Sequence, residues 1–214
     1  MLKVLLLSLV ILFLSGCQSL IETNVNLSDL QGKSNKNING DLYIQVAGCN
    51  HYSDSRRLSD SVIKSQQTIP YIFKDAQYKE CFTKDFISYA HFSLPMILNH
   101  SDNLVSNDYI NIMSNKNSML SVGVPPTIKQ KMDSVKQESF GMNDFELKVQ
   151  INVKNDLTKK VEFNAISSYI GITPAIYNSF YVDPNTEFTV RLSDVSVDYA
   201  LENGISQVLN YQEK

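Results

Sequence analysis

Side chains able to do chemistry are few in this 214-residue chain and stand mostly apart. His51, His91 and His100 are the groups that titrate near neutral pH without help from their surroundings. In "NHSDN", His100, Ser101 and Asp102 are consecutive, but a nucleophile, its base and an orienting acid are assembled by the fold and not by adjacency. A solvated loop is the expected reading. No G-x-S-x-G elbow, Walker loop, H-E-x-x-H pair or dinucleotide fingerprint occurs. With 8 glycines, the chain has little material for phosphate-cradling loops. Asp54/Asp60 and Asp194/Asp198 have calcium-ligand chemistry, yet scattered loop carboxylates are ordinarily solvated. Cys49, His51, Cys81 and His91 form a nitrogen–sulfur set, but "CNH" comes without a C-x-x-C or a second close pair, which makes zinc a weak reading. Arg56 and Arg57 in "DSRRLSDS" are the only adjacent arginines. They could grip an acidic partner or a lipid headgroup through bidentate contacts, or form a plain basic turn. These patterns call for no cofactor, no metal and no catalytic residue.

The third cysteine stands at the end of the apolar run Val4–Leu14, which follows Met1-Leu2-Lys3. One positive charge and eleven mostly aliphatic residues have the form of a secretory signal. As a helix that run spans only about 16 Å, against about 30 Å of bilayer hydrocarbon, so it is too short for a stable span. "LSGC", Leu14 to Cys17, resembles the lipobox of bacterial lipoproteins: Leu, a small residue, Gly or Ala, then Cys. The resemblance implies removal of residues 1–16 as a lipoprotein signal peptide, with Cys17 acylated and holding the protein to the bilayer. Two or more acyl chains anchor stably where a single one does not. Gln18 and Ser19 follow the cysteine, and the absence of Asp there implies, in a cell with two membranes, the outer membrane facing the periplasm.

Cleavage leaves 198 residues with 18 basic and 22 acidic side chains, a formal charge of −4. No basic stripe suited to nucleic acid and no polybasic lipid-binding segment is present, so membrane attachment must be covalent. Once Cys17 carries lipid, Cys49 and Cys81 remain as an even pair in an exported chain, and a disulfide is expected, with buried free thiols and a metal site as the alternatives.

Period-two alternation marks several strands. "LIETNVNL" and "DLYIQVAGC" give two, and the Tyr-, Phe- and Ile-rich stretch from Tyr71 to Leu98 gives two or three more. "YINIM" and "MLSVGV" read as a hairpin. Ser59 or Asp60 caps a short helix through Gln67, with Pro70 ending it, and "PTIKQKMDSVKQES" makes a second helix stopped at Gly141. In "DFELKVQINV", Phe145, Leu147, Val149, Ile151 and Val153 share one face. The strand at "FTVRLSDVSV" changes phase at Asp194, the mark of a bulge or a strand end. Strands about ten residues apart with turns between them predict an immunoglobulin-like β-sandwich over 141–214. The expected fold class is mainly β (α+β): a mixed part with short helices over 17–140, carrying the disulfide, followed by that sandwich. "SSYIGITPAIYNSFYV" lacks a clean period and gathers Tyr177, Phe180 and Tyr181 around Pro174, so these aromatics are candidates for partner binding on a loop or edge strand.

Together, "VAGCN", "DSRRLSDS", "YKECF", "VKNDLTKKV" and "RLSDVSVD" resemble a family of small, uncharacterised lipoproteins of bacteria and their phages or mobile elements. That resemblance transfers no catalytic residues. The functional expectation is a non-enzymatic, membrane-anchored envelope lipoprotein that binds another envelope component. The alternative is a hydrolase or carbohydrate-acting enzyme with a carboxylate site that leaves no motif.

Overall fold

The computed structural model describes residues 18–138 and 146–212. The signal segment 1–16, Cys17, Gly141 and Phe145 lie outside the described residues. Folded structure begins at once with β1 (Gln18–Asn26), followed by α1 (Leu27–Leu30) and β2 (Lys36–Val46). A small separate hairpin, β3 (Asn50–His51) and β4 (Asp54–Leu58), leads into α2 (Asp60–Ile72). Then come β5 (Gln77–Lys84), β6 (Ile87–Asn99), β7 (Ile110–Met113), β8 (Leu120–Gly123) and α3 (Pro126–Glu138). The second half supplies β9 (Glu146–Lys154), β10 (Val161–Ile170), β11 (Thr173–Val182), β12 (Glu187–Leu192), α4 (Asp194–Asn203) and β13 (Ile205–Tyr211).

The expected immunoglobulin-like sandwich does not form. Nine strands close into a barrel in the order β10-β12-β9-β1-β2-β6-β7-β8-β13, with β13 returning to β10. The five strands before residue 140 form one arc of the ring and the four after it form the other, so the two parts meet at β1–β9 and at β8–β13. The decisive seam is β1 against β9, parallel and in register from Gln18↔Glu146 to Asn26↔Lys154. Alternation shows which face of a strand is buried, but not which distant edge will satisfy its N–H and C=O groups. Ile21 and Val25 of β1, and Leu147, Val149, Ile151 and Val153 of β9, do point into the core. They face a barrel interior filled by side chains from both halves, among them Phe92, Leu94, Met96 and Phe163.

β10 closes the ring in an unusual way. One of its edges pairs with β11 along nearly its whole length. The other edge takes β13 at Phe163–Ala165 and β12 at Ser168–Ile170. Ser167, between these two pairings, adopts φ 41. Its carbonyl leaves the ladder and accepts from the Ser193 N–H (3.3 Å) and the Ser196 Oγ (2.7 Å) at the start of α4. That bulge lets one strand serve two neighbours.

One local alternative is decided and two local expectations change. The phase slip at Asp194 is a strand end: β12 stops at Leu192, and Ser193 caps α4 by accepting from the Ser196 N–H. Pro70 lies inside α2, near its end, and the helix continues to Ile72. Pro174 pairs with Tyr169 inside β11, where an edge strand tolerates its missing N–H.

Candidate interaction surface

The disulfide is formed: Cys49 and Cys81 are joined, with their Cα atoms 5.5 Å apart. It fastens the chain leaving β2 to β5, and it consumes both thiols of the nitrogen–sulfur set. Arg56 and Arg57 lie on the exposed β4, beside this bridge. The Arg56 guanidinium is already held by Asp54, Nε to Oδ1 at 3.0 Å and an Nη to Oδ2 at 3.3 Å. Arg56 in turn keeps the Asp54 carboxyl below its usual range. The two arginines share no sheet with the candidate aromatics of β11.

The histidines do not assemble a relay. His91 Nε2 lies 2.7 Å from Asp41 and Nδ1 3.6 Å from Glu80, while its ring stacks on Tyr43 at 4.8 Å. With a carboxylate against each nitrogen, that ring has no free position for substrate. His51 Nδ1 meets the Ser53 Oγ. His100 Nε2 is buried with no partner among the described residues, and the Ser101 Oγ donates to the Asn103 carbonyl. A cavity of about 180 Å³ between α2, α3 and the end of β2 is walled by Ile44, Val46, Ile69, Ile72 and Met132. Among the described residues no carboxylate lines it.

The β10–β11 hairpin is different. Gly171 at φ 60 opens its two-residue turn, a conformation that suits glycine at the first central position. Ile172 at the tip is 95% exposed and Ile176 87%. Tyr177 and Tyr181 are 63% and 60% exposed on the outer face of β11. The Tyr177 hydroxyl accepts from the Asn164 Nδ2 at 3.3 Å. Tyr181 lies under the Lys160 ammonium, 4.5 Å from ring centre to Nζ. A hydrogen bond to Glu162 raises its phenol above the ordinary value. Phe180 turns the other way and stacks on Phe163, which stacks in turn on Phe188. The three candidate aromatics thus divide: two tyrosines outward and one phenylalanine into packing. Among the described residues β11 pairs with β10 alone, which leaves its other edge, ten residues long, without a neighbour there. The sequence marked these aromatics by composition but hid the strand, because an edge strand with both faces partly wet loses the alternation that burial imposes.

Residues 19–214 match the family model described as a domain of unknown function, DUF7424. No curated protein matches the chain, and no solved structure does.

Proposed function

The chain belongs to the DUF7424 family over residues 19–214, and on that premise we propose that it is a non-enzymatic envelope lipoprotein that binds another protein through β11. The observation that carries this reading is the edge of β11, unpaired among the described residues, with Ile172, Ile176, Tyr177 and Tyr181 exposed along the strand and its turn. A long, flat, partly apolar edge is a template for an added strand, and natural proteins normally blunt such edges. Main-chain hydrogen bonds supply affinity in this mode, and side chains on alternate positions supply specificity. Tyrosines flanked by Lys160 and by the Arg191–Tyr169 pair (4.7 Å) have the composition of a protein interface.

Acylation at Cys17 gives the domain its place at the bilayer, in the outer membrane facing the periplasm. The resemblance to lipoproteins of phages and mobile elements makes an envelope protein the favoured partner. Two measurements test the reading. Labelled palmitate should enter the wild type and not Cys17→Ser; equal labelling sinks the anchor. Crosslinking in intact envelopes should capture a protein that Tyr177→Ala/Tyr181→Ala loses. Unchanged capture by the double variant, or turnover of a glycan or ester by the purified protein, would overturn the binding role of β11.

A further inference from the structure

The hairpin joining β5 to β6 has a two-residue turn, because Lys84 pairs with Ile87. Both turn residues adopt positive φ, Asp85 at 51 and Phe86 at 65. Turns of this kind favour Asn-Gly or Asp-Gly, since only glycine enters the left-handed region freely. A phenylalanine there is a strained outlier, and such outliers point to function when nothing in the packing explains them. Packing does not explain this one: the Phe86 side chain is fully exposed, with the partly exposed Ile87 beside it.

The position of the tip supplies the reason. Ser19 pairs with Ile44, Ile44 with Ala90, and Ala90 with Cys81, so one row crosses β1, β2, β6 and β5. From Ala90 back along β6 to Phe86 in the turn is four residues, about 13 Å beyond that row. Cys17 is two residues from Ser19 and can reach at most about 7 Å. The tip therefore projects from the end where the chain enters the barrel, as far out as the acylated residue or farther. Phe82 and Tyr89 of the same hairpin, with Lys84, Lys148 and Arg191, line one open surface with Gln18. Aromatic rings with lysine and arginine beside them are the side chains that settle at a bilayer interface. The Cys49–Cys81 bridge ties this hairpin, at Cys81 of the same row, to the chain leaving β2.

We propose that the β5–β6 tip is a second membrane contact: Phe86 and Ile87 enter the interface of the bilayer that holds Cys17, and Lys84 meets its headgroups. The proposal rests on the anchor reading, since acylation is what brings this end to the surface. Interfacial apolar groups bury about 5–10 Å, which fits the reach of the tip.

The chain contains no tryptophan, so Phe86→Trp places a single emitter at the tip. Lys33→Trp, in the β1–β2 connection at the other end of the same strands, is the control. Each full-length lipoprotein is reconstituted into vesicles of phosphatidylethanolamine and phosphatidylglycerol, with and without bromine on the acyl chains. The expected result is a blue-shifted Phe86→Trp emission that bromine quenches, with the Lys33→Trp emission unshifted and unquenched. A water-like, unquenched Phe86→Trp overturns the proposal. Palmitate labelling of the same preparations reports on the anchor separately. A labelled chain with an unquenched tip loses the second contact and keeps the anchor; an unlabelled chain with a quenched tip does the reverse.

Discussion

Asn155 shows how much one buried amide can hold. It is fully buried between β9 and β10, and its Nδ2 faces the carbonyls of Lys159, Val182 and Asp183 at 3.0–3.1 Å. Its Oδ1 accepts from the Leu157 N–H. Asn155→Ala strands several polar groups away from water, so a loss of about 2–4 kcal/mol is expected in urea denaturation. Beside it, Asp156 accepts from the Ser28 N–H at 2.9 Å and from the Ser28 hydroxyl. Partial burial pushes this carboxyl up, but the Ser28 bonds outweigh that and leave it below its ordinary value. A depressed carboxylate stabilises the fold above its unfolded pKa and loses that contribution as pH falls through the folded one. The wild type should therefore lose more stability than Asp156→Asn below about pH 3.9, as read by thermal melts across pH. Phe86→Gly should raise stability by about 1 kcal/mol by relieving a left-handed L-residue, an effect opposite to the usual loss of an aromatic. A fall in melting temperature would show that Phe86 packs against something.

At the scale of elements, β11 and the disulfide make separable demands. Tyr177→Ala and Tyr181→Ala remove exposed side chains and should change stability by less than about 0.5 kcal/mol. Phe180→Ala removes a ring stacked on Phe163, and about 3 kcal/mol is expected from lost burial and the cavity left behind. Equal effects at all three positions would mean that β11 is packed on both faces. The 32-residue separation of Cys49 and Cys81 makes the bridge worth about 3.5 kcal/mol in the chain-entropy account. Its reduction should lower the midpoint of unfolding, and Cys49→Ser/Cys81→Ser should reproduce that shift without reductant. α4 was legible but misread: "SDVSVDYALENG" has Ser193 at the cap and Gly204, at φ 87, just past the end, the two signals that bound a helix. Val195 and Val197 imitated a strand because polar residues alternate with them, yet in the helix Val195 is exposed while Ser196 and Val197 are buried together.

For the whole molecule, closure joins the halves. β1 pairs with β9, and β13 bridges β8 to β10, so neither half can keep its ladder if the other melts. One cooperative transition is expected, with far-UV and tyrosine near-UV circular dichroism superimposing. Two resolved transitions would mean that residues 17–140 and 141–214 fold apart. Removal of β13 opens the β8–β13 and β13–β10 pairings at once and should abolish the cooperative transition, whereas trimming exposed side chains of β11 should not.

By itself the sequence determined local matters: the alternating faces of β1 and β9, the start of α2 at Ser59 or Asp60, the β7–β8 hairpin, and the even cysteine pair that became the Cys49–Cys81 bridge. Each depends on a side chain's own backbone or on neighbours within a few residues. The tertiary structure alone decided that the strands form a barrel and not a sandwich, because a strand edge is the same peptide group whatever the sequence and accepts any partner that shape and register allow. It alone showed that Tyr177 and Tyr181 face outward while Phe180 does not. It alone also set Phe86 at a strained tip beside the chain's entry, since that position depends on a row of pairings across four strands.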